Sequence, residues 1–373
     1  MSLRLTHLEL REVRMPLKAP FATSFGVFSL RRILIVRAFD QSGAFGYGEC
    51  TAAAEPFFNA ETVETAWHVT TEFIGALLAQ RRPACAGDVS PALAPIRDHR
   101  MAKAGVETAI WDLEAKLAGV PLWRHLGGSR ASIDCGVSIG LQSTVEALVD
   151  AVARELASGY QRIKIKIKPG EDIALVEAVR ARFPAITLSV DANAAYTLER
   201  DLSLMKRLDQ HRLLMIEQPL AAGDLVDHAK LQRALATPIC LDESIVDVTS
   251  LRHALELGAC RIVNIKLGRV GGHGEARAIQ EMARAAGVPA WCGGMLESGI
   301  GRAHNIAMAT LPGFTLPGDV SASARYFAED IIDPPVTVSS AGTIAAPTAP
   351  GIGYAVDEAR LESLTVRRAE IAL

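Results

Sequence analysis

At 373 residues, with 49% hydrophobic content and 39 basic against 42 acidic side chains, the chain is too long for one small core and too evenly charged to be drawn to nucleic acid. No basic stripe with interleaved aromatics occurs, and no apolar run reaches the ~20 residues that span a bilayer. Charges break up the opening MSLRLTHLELREV, and the six cysteines (50, 85, 135, 240, 260, 292) contain no C-x-x-C pair, so the expectation is a cytoplasmic protein with reduced core cysteines and no zinc or disulfide framework.

Up to about residue 125, alternating stretches (LELREVRMPL at 8 to 17, RRILIVRAFD at 31 to 40) mix with helical ones at 59 to 80 and 101 to 118, the pattern of an α+β domain. FATSFG, residues 21 to 26, carries turn residues flanked by Phe21 and Phe25 between two strand candidates. It reads equally as a plain hairpin loop and as a substrate lid. From about 133 the text changes. STVEALVDAVARELASGY (143 to 160) opens with a capping box from Ser143 to Glu146, shows apolar residues at helical spacing and stops at Gly159. RIKIKIKPG follows as a strand in which Lys164, Lys166 and Lys168 share one face and Ile163, Ile165 and Ile167 the other. Such lysines either protect an exposed edge strand or line a site.

Four further apolar runs end in a charged residue: ITLSVDAN, LLMIEQP, PICLDES and RIVNIKLG, with helical text between them. Asp191, Glu217, Asp242 and Lys266 are spaced by 26, 25 and 24 residues, which makes this a repeated βα unit. Parallel strands with right-handed crossovers follow, and many successive units favour a closed (β/α) barrel, with PAWCGGMLES and FTLPGD as the next two strand candidates. Residues after about 325, rich in Pro, Gly and Ala, read as a wrapping tail.

In a barrel the charged strand ends converge on one mouth. Asp191, Glu217 and Asp242 would repel one another there unless a cation lay between them, and all-oxygen ligation suits Mg²⁺ or Mn²⁺. Asn193 and Glu243 stand close enough in sequence to hydrogen-bond the ligands. Lys166 and Lys266 flank the carboxylates from either side, as proton transfer at a carbon acid requires, because a metal-held carboxylate has its α-proton acidified. A lysine serves as a base only when its pKa falls from ~10.4 toward neutrality, and a like charge two residues away, here Lys164, pushes in that direction. Periodicity alone does not choose between Lys166 and Lys168.

The set KxK (Lys164, Lys166), DAN (Asp191 to Asn193), EQP (Glu217 to Pro219), DES (Asp242 to Ser244) and NIK (Asn264 to Lys266) resembles the enolase superfamily, muconate lactonizing enzyme subgroup, over nearly the whole chain. CGGMLESGIGRAHN (292 to 305) and LPGDVSAS (316 to 323) resemble its o-succinylbenzoate synthase and N-succinylamino acid racemase branch, although Leu267 stands where that branch has proline. The resemblance implies an α+β capping domain (1 to 125), a modified TIM barrel of (β/α)7β form (126 to 325) and a C-terminal segment (326 to 373) wrapping back toward the cap. It implies Lys166 as the base, with Lys164 and Lys266 beside it, and Asp191, Glu217 and Asp242 as magnesium ligands. Substrate contacts are implied from Ser138, Asn193, Phe25, Phe58, Gly294, Met295 and Glu297, with Glu243 and Arg269 in support, Arg269 tuning Lys266 or serving only as an ion-pair partner. The expected partner is a small carboxylate, with no nucleic acid or membrane involved, and the expected assembly is a homo-oligomer. The alternatives are muconate-type cycloisomerisation, dipeptide epimerisation, which the missing Asp-x-Asp near the last strands disfavours, and a non-catalytic barrel. GIGRAH lacks the third glycine of a dinucleotide loop, the nine histidines have no zinc-ligand spacing, and Trp291 reads as packing.

Overall fold

The computed structural model describes residues 2–24 and 26–373. Phe25, one of the expected substrate contacts, lies outside the described residues.

Two long strands, β1 (Leu5–Ala22) and β2 (Val27–Asp40), form an antiparallel hairpin that closes with Phe21 opposite Phe28 and Ala22 opposite Val27. The described residues of that segment, 21 to 24 and 26, therefore lie at the end of a hairpin longer than its alternating text suggests. A third strand, β3 (Phe45–Cys50), lies beside β2. The helical text at 59 to 80 forms α1 (Val63–Val69) and α2 (Gly75–Arg81), joined through a π turn, and α1 starts on a capping box between Thr62 and Thr65. The long helix α3 (Arg100–Leu117) packs on β3 so closely that a Cβ on Gly48 would lie 2.1 Å from the Gly105 carbonyl oxygen.

A short strand, β4 (Ser132–Asp134), leads into seven parallel strands: β5 (Gly136–Ile139), β6 (Arg162–Lys166), β7 (Leu188–Asp191), β8 (Ile216–Glu217), β9 (Ile239–Leu241), β10 (Ile262–Ile265) and β11 (Ala290–Cys292). They pair in sequence order. Residues 314 to 318 supply the eighth position, bridging Ala290 through Phe314 and Cys135 through Gly318, so the sheet curls closed. The crossover helices are α4 (Val145–Ala157), α5 (Ile173–Arg182), α6 (Leu198–Leu208), α7 (Leu225–Ala234), α8 (Val248–Leu257), α9 (His273–Ala285) and α10 (Gly299–Ala309). The α4 cap is one residue later than the text suggests: Thr144, not Ser143, accepts from a backbone amide, that of Ala147. Threonine is as good a cap, and in the extended conformation it adopts here its hydroxyl reaches the third helical amide.

After the barrel come β12 (Ile332–Asp333), β13 (Thr343–Ala345), which pairs with β4, and β14 (Ala355–Val356), which pairs with β12. The last strand, β15 (Thr365–Ala372), adds to β1 as the fourth strand of the first sheet. Cap and barrel are locked by buried carboxylates set against helix N-termini, where free amides attract negative charge. Glu49 accepts from Ser298 N and Gly301 N at the start of α10, and Glu107 from His273 N and Gly274 N at the start of α9. All six cysteines are free thiols. Among the described residues no helix is long and apolar enough to cross a membrane.

Candidate active site

The lysine ladder resolves first. Strand β6 lies between β5 and β7 rather than at an edge, so Lys164 and Lys166 point into the barrel while Ile163 and Ile165 are fully buried on the outer face. Lys168 falls beyond the end of the strand and forms a partly exposed pair with Glu171 at 2.9 Å. Geometry thus separates the two lysines that periodicity could not.

Lys164 is 2% exposed, and its Nζ lies 2.7 Å from Glu217 Oε2, 2.7 Å from Asp319 Oδ2 and 3.3 Å from Asp191 Oδ2, above the Trp291 ring. Burial would lower its pKa, but Asp319, Glu217 and Asp191 outweigh burial and hold it well above the ordinary lysine range. Lys164 is a fixed ammonium.

Register puts Lys166 beside Asp191, Asp191 beside Glu217, and Glu217 beside Cys240, with Asp242 two residues further on. Lys166 Nζ donates to Asp191 Oδ2 at 2.6 Å and to Asn193 Oδ1 at 2.7 Å. From the far side Lys266, just past β10, donates to Asp242 Oδ2 at 2.6 Å and lies over the Phe58 ring. Gly293 leaves room for it, since a Cβ there would lie 2.7 Å from Lys266 Cγ. Asp191, Glu217 and Asp242 are all but completely buried. Burial would raise the Asp191 pKa, yet Lys166 and Lys164 hold it well below the usual carboxylate range.

Both proton-transfer candidates, Lys166 and Lys266, line one cavity together with Asn193, Gly294 and Met295 of the barrel and Phe21, Phe28, Arg31 and Phe58 of the cap. The hairpin tip is therefore both a turn and part of the cavity wall. Ser138 is paired with Lys164 across β5 and β6, which turns it inward, and its buried hydroxyl has no partner. Asn193 adopts a positive φ of 43° and links Lys166 to Glu243, whose Oε1 it reaches through Nδ2 at 3.1 Å. Arg269 is buried between Asp242 and the carbonyls of Ile245 and Asn264, so it grips the carboxylate on which Lys266 rests. Leu267 opens the single helical turn Leu267–Val270 that carries Arg269.

Of the expected substrate contacts, Ser138 and Glu297 lie off the lining of this cavity. Glu297 Oε1 turns back to accept from Met295 N at 2.8 Å and Asn305 Nδ2 at 2.9 Å, which shapes the loop bearing Met295. Trp291 does more than pack, since Arg162 and Lys164 both stack over its indole. Sequence reasoning missed Asp319, although it closes the eighth strand run as the other acids close theirs. Arg162 bonds it at 2.6 Å, and against the effect of burial Arg162 and Lys164 hold it down at about 2. It also missed Gln218, whose side chain accepts from Asp242 N at 2.9 Å and Ser244 N at 3.2 Å and so sets the DES turn.

Among the described residues no three His, Cys, Asp or Glu side chains are arranged around one point to hold a metal. Their oxygens meet ammonium, guanidinium or amide donors instead: Glu217 Oε1 accepts from Asn264 and Oε2 from Lys164, while Asp242 receives Lys266 and Arg269. The donor chemistry nevertheless suits a hard divalent cation, with three buried carboxylates on successive strands and lysine ammoniums as their main counter-charge.

Residues 5–127 match the model of the mandelate racemase / muconate lactonizing enzyme N-terminal domain, and residues 147–360 match the enolase C-terminal domain-like model. The chain belongs to the enolase superfamily. Within it, the chain is 50% identical over 365 residues to an o-succinylbenzoate synthase of Geobacillus kaustophilus, spanning 98% of this chain and 97% of that one. It is 48% identical over 365 residues to an N-succinylamino acid racemase of Thermus thermophilus, spanning 98% of each. The solved structure of an enolase superfamily member from Listeria innocua superposes with a TM-score of 0.95 at 43% identity, covering 99% of both chains.

Proposed function

We propose that this superfamily member abstracts the α-proton of a carboxylate substrate, either dehydrating a cyclohexadiene dicarboxylate to o-succinylbenzoate or racemising N-succinylamino acids. The observation that carries the reading is the placement of Lys166 and Lys266 on opposite sides of one cavity, each bonded to a carboxylate at 2.6 Å. The similarity to relatives bearing both names supports both reactions.

Asp191, Glu217 and Asp242 are the residues that would hold Mg²⁺, with Mn²⁺ as a substitute. Such a cation, when bound, lowers the cost of placing negative charge on the substrate carboxylate. Lys166 takes the α-proton from one face of the carbon. Lys266 returns a proton to the other face in racemisation, so configuration inverts and no atom is lost. In dehydration the same carbanionic intermediate breaks its β carbon–oxygen bond as Lys166 gives the proton it took to the departing hydroxyl, which leaves as water. Lys164 stays an ammonium and stabilises the developing oxyanion. Met295, Phe21 and Phe28 exclude water from the reacting carbon. Side-by-side assay of the cyclohexadiene precursor and N-succinylphenylalanine tests the reading: turnover of at least one, abolished by chelation and restored by Mg²⁺, is expected, and turnover of neither in the presence of Mg²⁺ overturns it.

A further inference from the structure

On the cap side of the cavity, among the described residues, one residue carries a charge. Phe21, Phe28, Ala53 and Phe58 line that side, yet Arg31 of β2 stands among them, only 3% exposed. Among the described residues its one hydrogen bond runs from Nη2 to the Thr51 carbonyl at 3.0 Å, its Nε is buried without a partner, and no carboxylate lies within ion-pair distance. The acids nearest in charge, Glu49 and Glu297, are spent elsewhere. Glu49 caps α10 through Ser298 and Gly301, and Glu297 accepts from Met295 and Asn305. A buried cation without a directly bonded anion is costly and is tolerated where a ligand completes it.

We propose that Arg31 receives a second, distal carboxylate of the substrate. The inference rests on the reaction proposed above and assigns a residue to the distal carboxylate that both of its substrates carry: the cavity holds cations at two places, the lysine pair on the barrel side and Arg31 on the cap side, with apolar surface between them. Its ligand is a dicarboxylate whose reacting carboxylate lies at the lysines and whose second carboxylate, carried on a short apolar spacer, reaches the guanidinium. A guanidinium fork suits a carboxylate better than an ammonium would.

The test is calorimetry in Mg²⁺ buffer with two probes, o-succinylbenzoate and its analogue bearing a primary amide in place of the succinyl carboxylate. Arg31→Gln is expected to weaken the dicarboxylate roughly a hundredfold and the amide less than about threefold, with Arg31→Lys falling between. An equal loss for both probes, or no loss for either, would make Arg31 a strut for Thr51 and overturn the proposal. Should Arg31→Gln fail to fold, the same comparison on Arg31→Lys decides by the same criterion. Turnover is read separately: wild-type protein that binds the two probes differently but neither dehydrates nor racemises would overturn the reaction and leave Arg31 standing, whereas equal binding of acid and amide overturns Arg31 alone.

Discussion

The barrel and the cap contribute opposite kinds of surface to one cavity. The barrel mouth is charged and tied together, with Lys164, Lys166, Lys266 and three carboxylates each bonded to a neighbour within 2.7 Å. The cap wall is mostly aromatic and aliphatic, with one arginine. Chemistry that moves a proton needs fixed charges at fixed separation, which successive barrel strands supply through register. Recognition of the rest of a substrate needs shape, which a hairpin tip and a loop supply. Damage on the barrel side should therefore remove turnover for every substrate, and damage on the cap side should reorder substrates.

The largest effect is expected at Glu217. It is completely buried and takes Asn264 on one oxygen and Lys164 on the other. Glu217→Ala should abolish turnover and Mg²⁺ binding while the fold survives, because repulsion within the carboxylate group falls along with ligation. Undiminished metal affinity by calorimetry would break the assignment. Asp319→Asn comes next: it removes the charge that Arg162 and Lys164 share, and breaking such a buried pair should cost about 3 kcal/mol of stability in urea unfolding, whereas a loss below about 0.5 kcal/mol would make it a surface-like pair.

On the cap side, Phe28→Ala at the hairpin tip should raise KM roughly tenfold for substrates with a bulky distal group and leave small ones and Mg²⁺ affinity unchanged. A uniform fall in kcat would show that the tip serves the chemistry instead.

The smallest effect is expected where the two regions meet. His273 Nε2 and His304 Nδ1 are 3.0 Å apart, and His304 Nε2 reaches the Tyr47 carbonyl of β3. Burial holds His304 down at about 4, against 6.5 for the free side chain. Below 6.5 the unfolded chain binds the extra proton, so stability present above that pH is lost as pH falls toward 4. Burial pushes Glu49 and Glu107 up to about 7, and their contribution has the opposite sign, present below 4.5 and lost as pH rises through 7. Melting temperatures from pH 6.5 to 4.5 should fall less steeply in His304→Gln than in the wild type, and parallel slopes would rule out the histidine.

What could be read from the chain follows the same division. The barrel was legible because strand, helix and strand recur at a near-constant interval, which by spacing alone puts Asp191, Glu217, Asp242 and Lys266 at one mouth. The eighth position was harder, since Phe314 and Gly318 make single bridges rather than a ladder, and Asp319 went unrecognised with it. The cap resisted because its contributions are set by long-range docking. Nothing near Glu49 in sequence announces that it caps a helix some 250 residues on, and nothing in RRILIVRAFD tells Arg31, which enters a cavity, from Arg32, which pairs with Glu12 and Glu64 outside it. Glu297 is the reverse case: its motif is local, but its carboxylate folds back on Met295 N and the Asn305 side chain of that motif.

The central claim, that Lys166 and Lys266 address opposite faces of one carbon, is tested most directly by α-proton exchange in D₂O followed by NMR on each pure enantiomer of an accepted N-succinylamino acid. Lys166→Ala should exchange only the enantiomer whose proton faces Lys266, Lys266→Ala only the other, and racemisation should be lost in both. Either variant racemising at the wild-type rate, or exchanging both enantiomers equally, would contradict it.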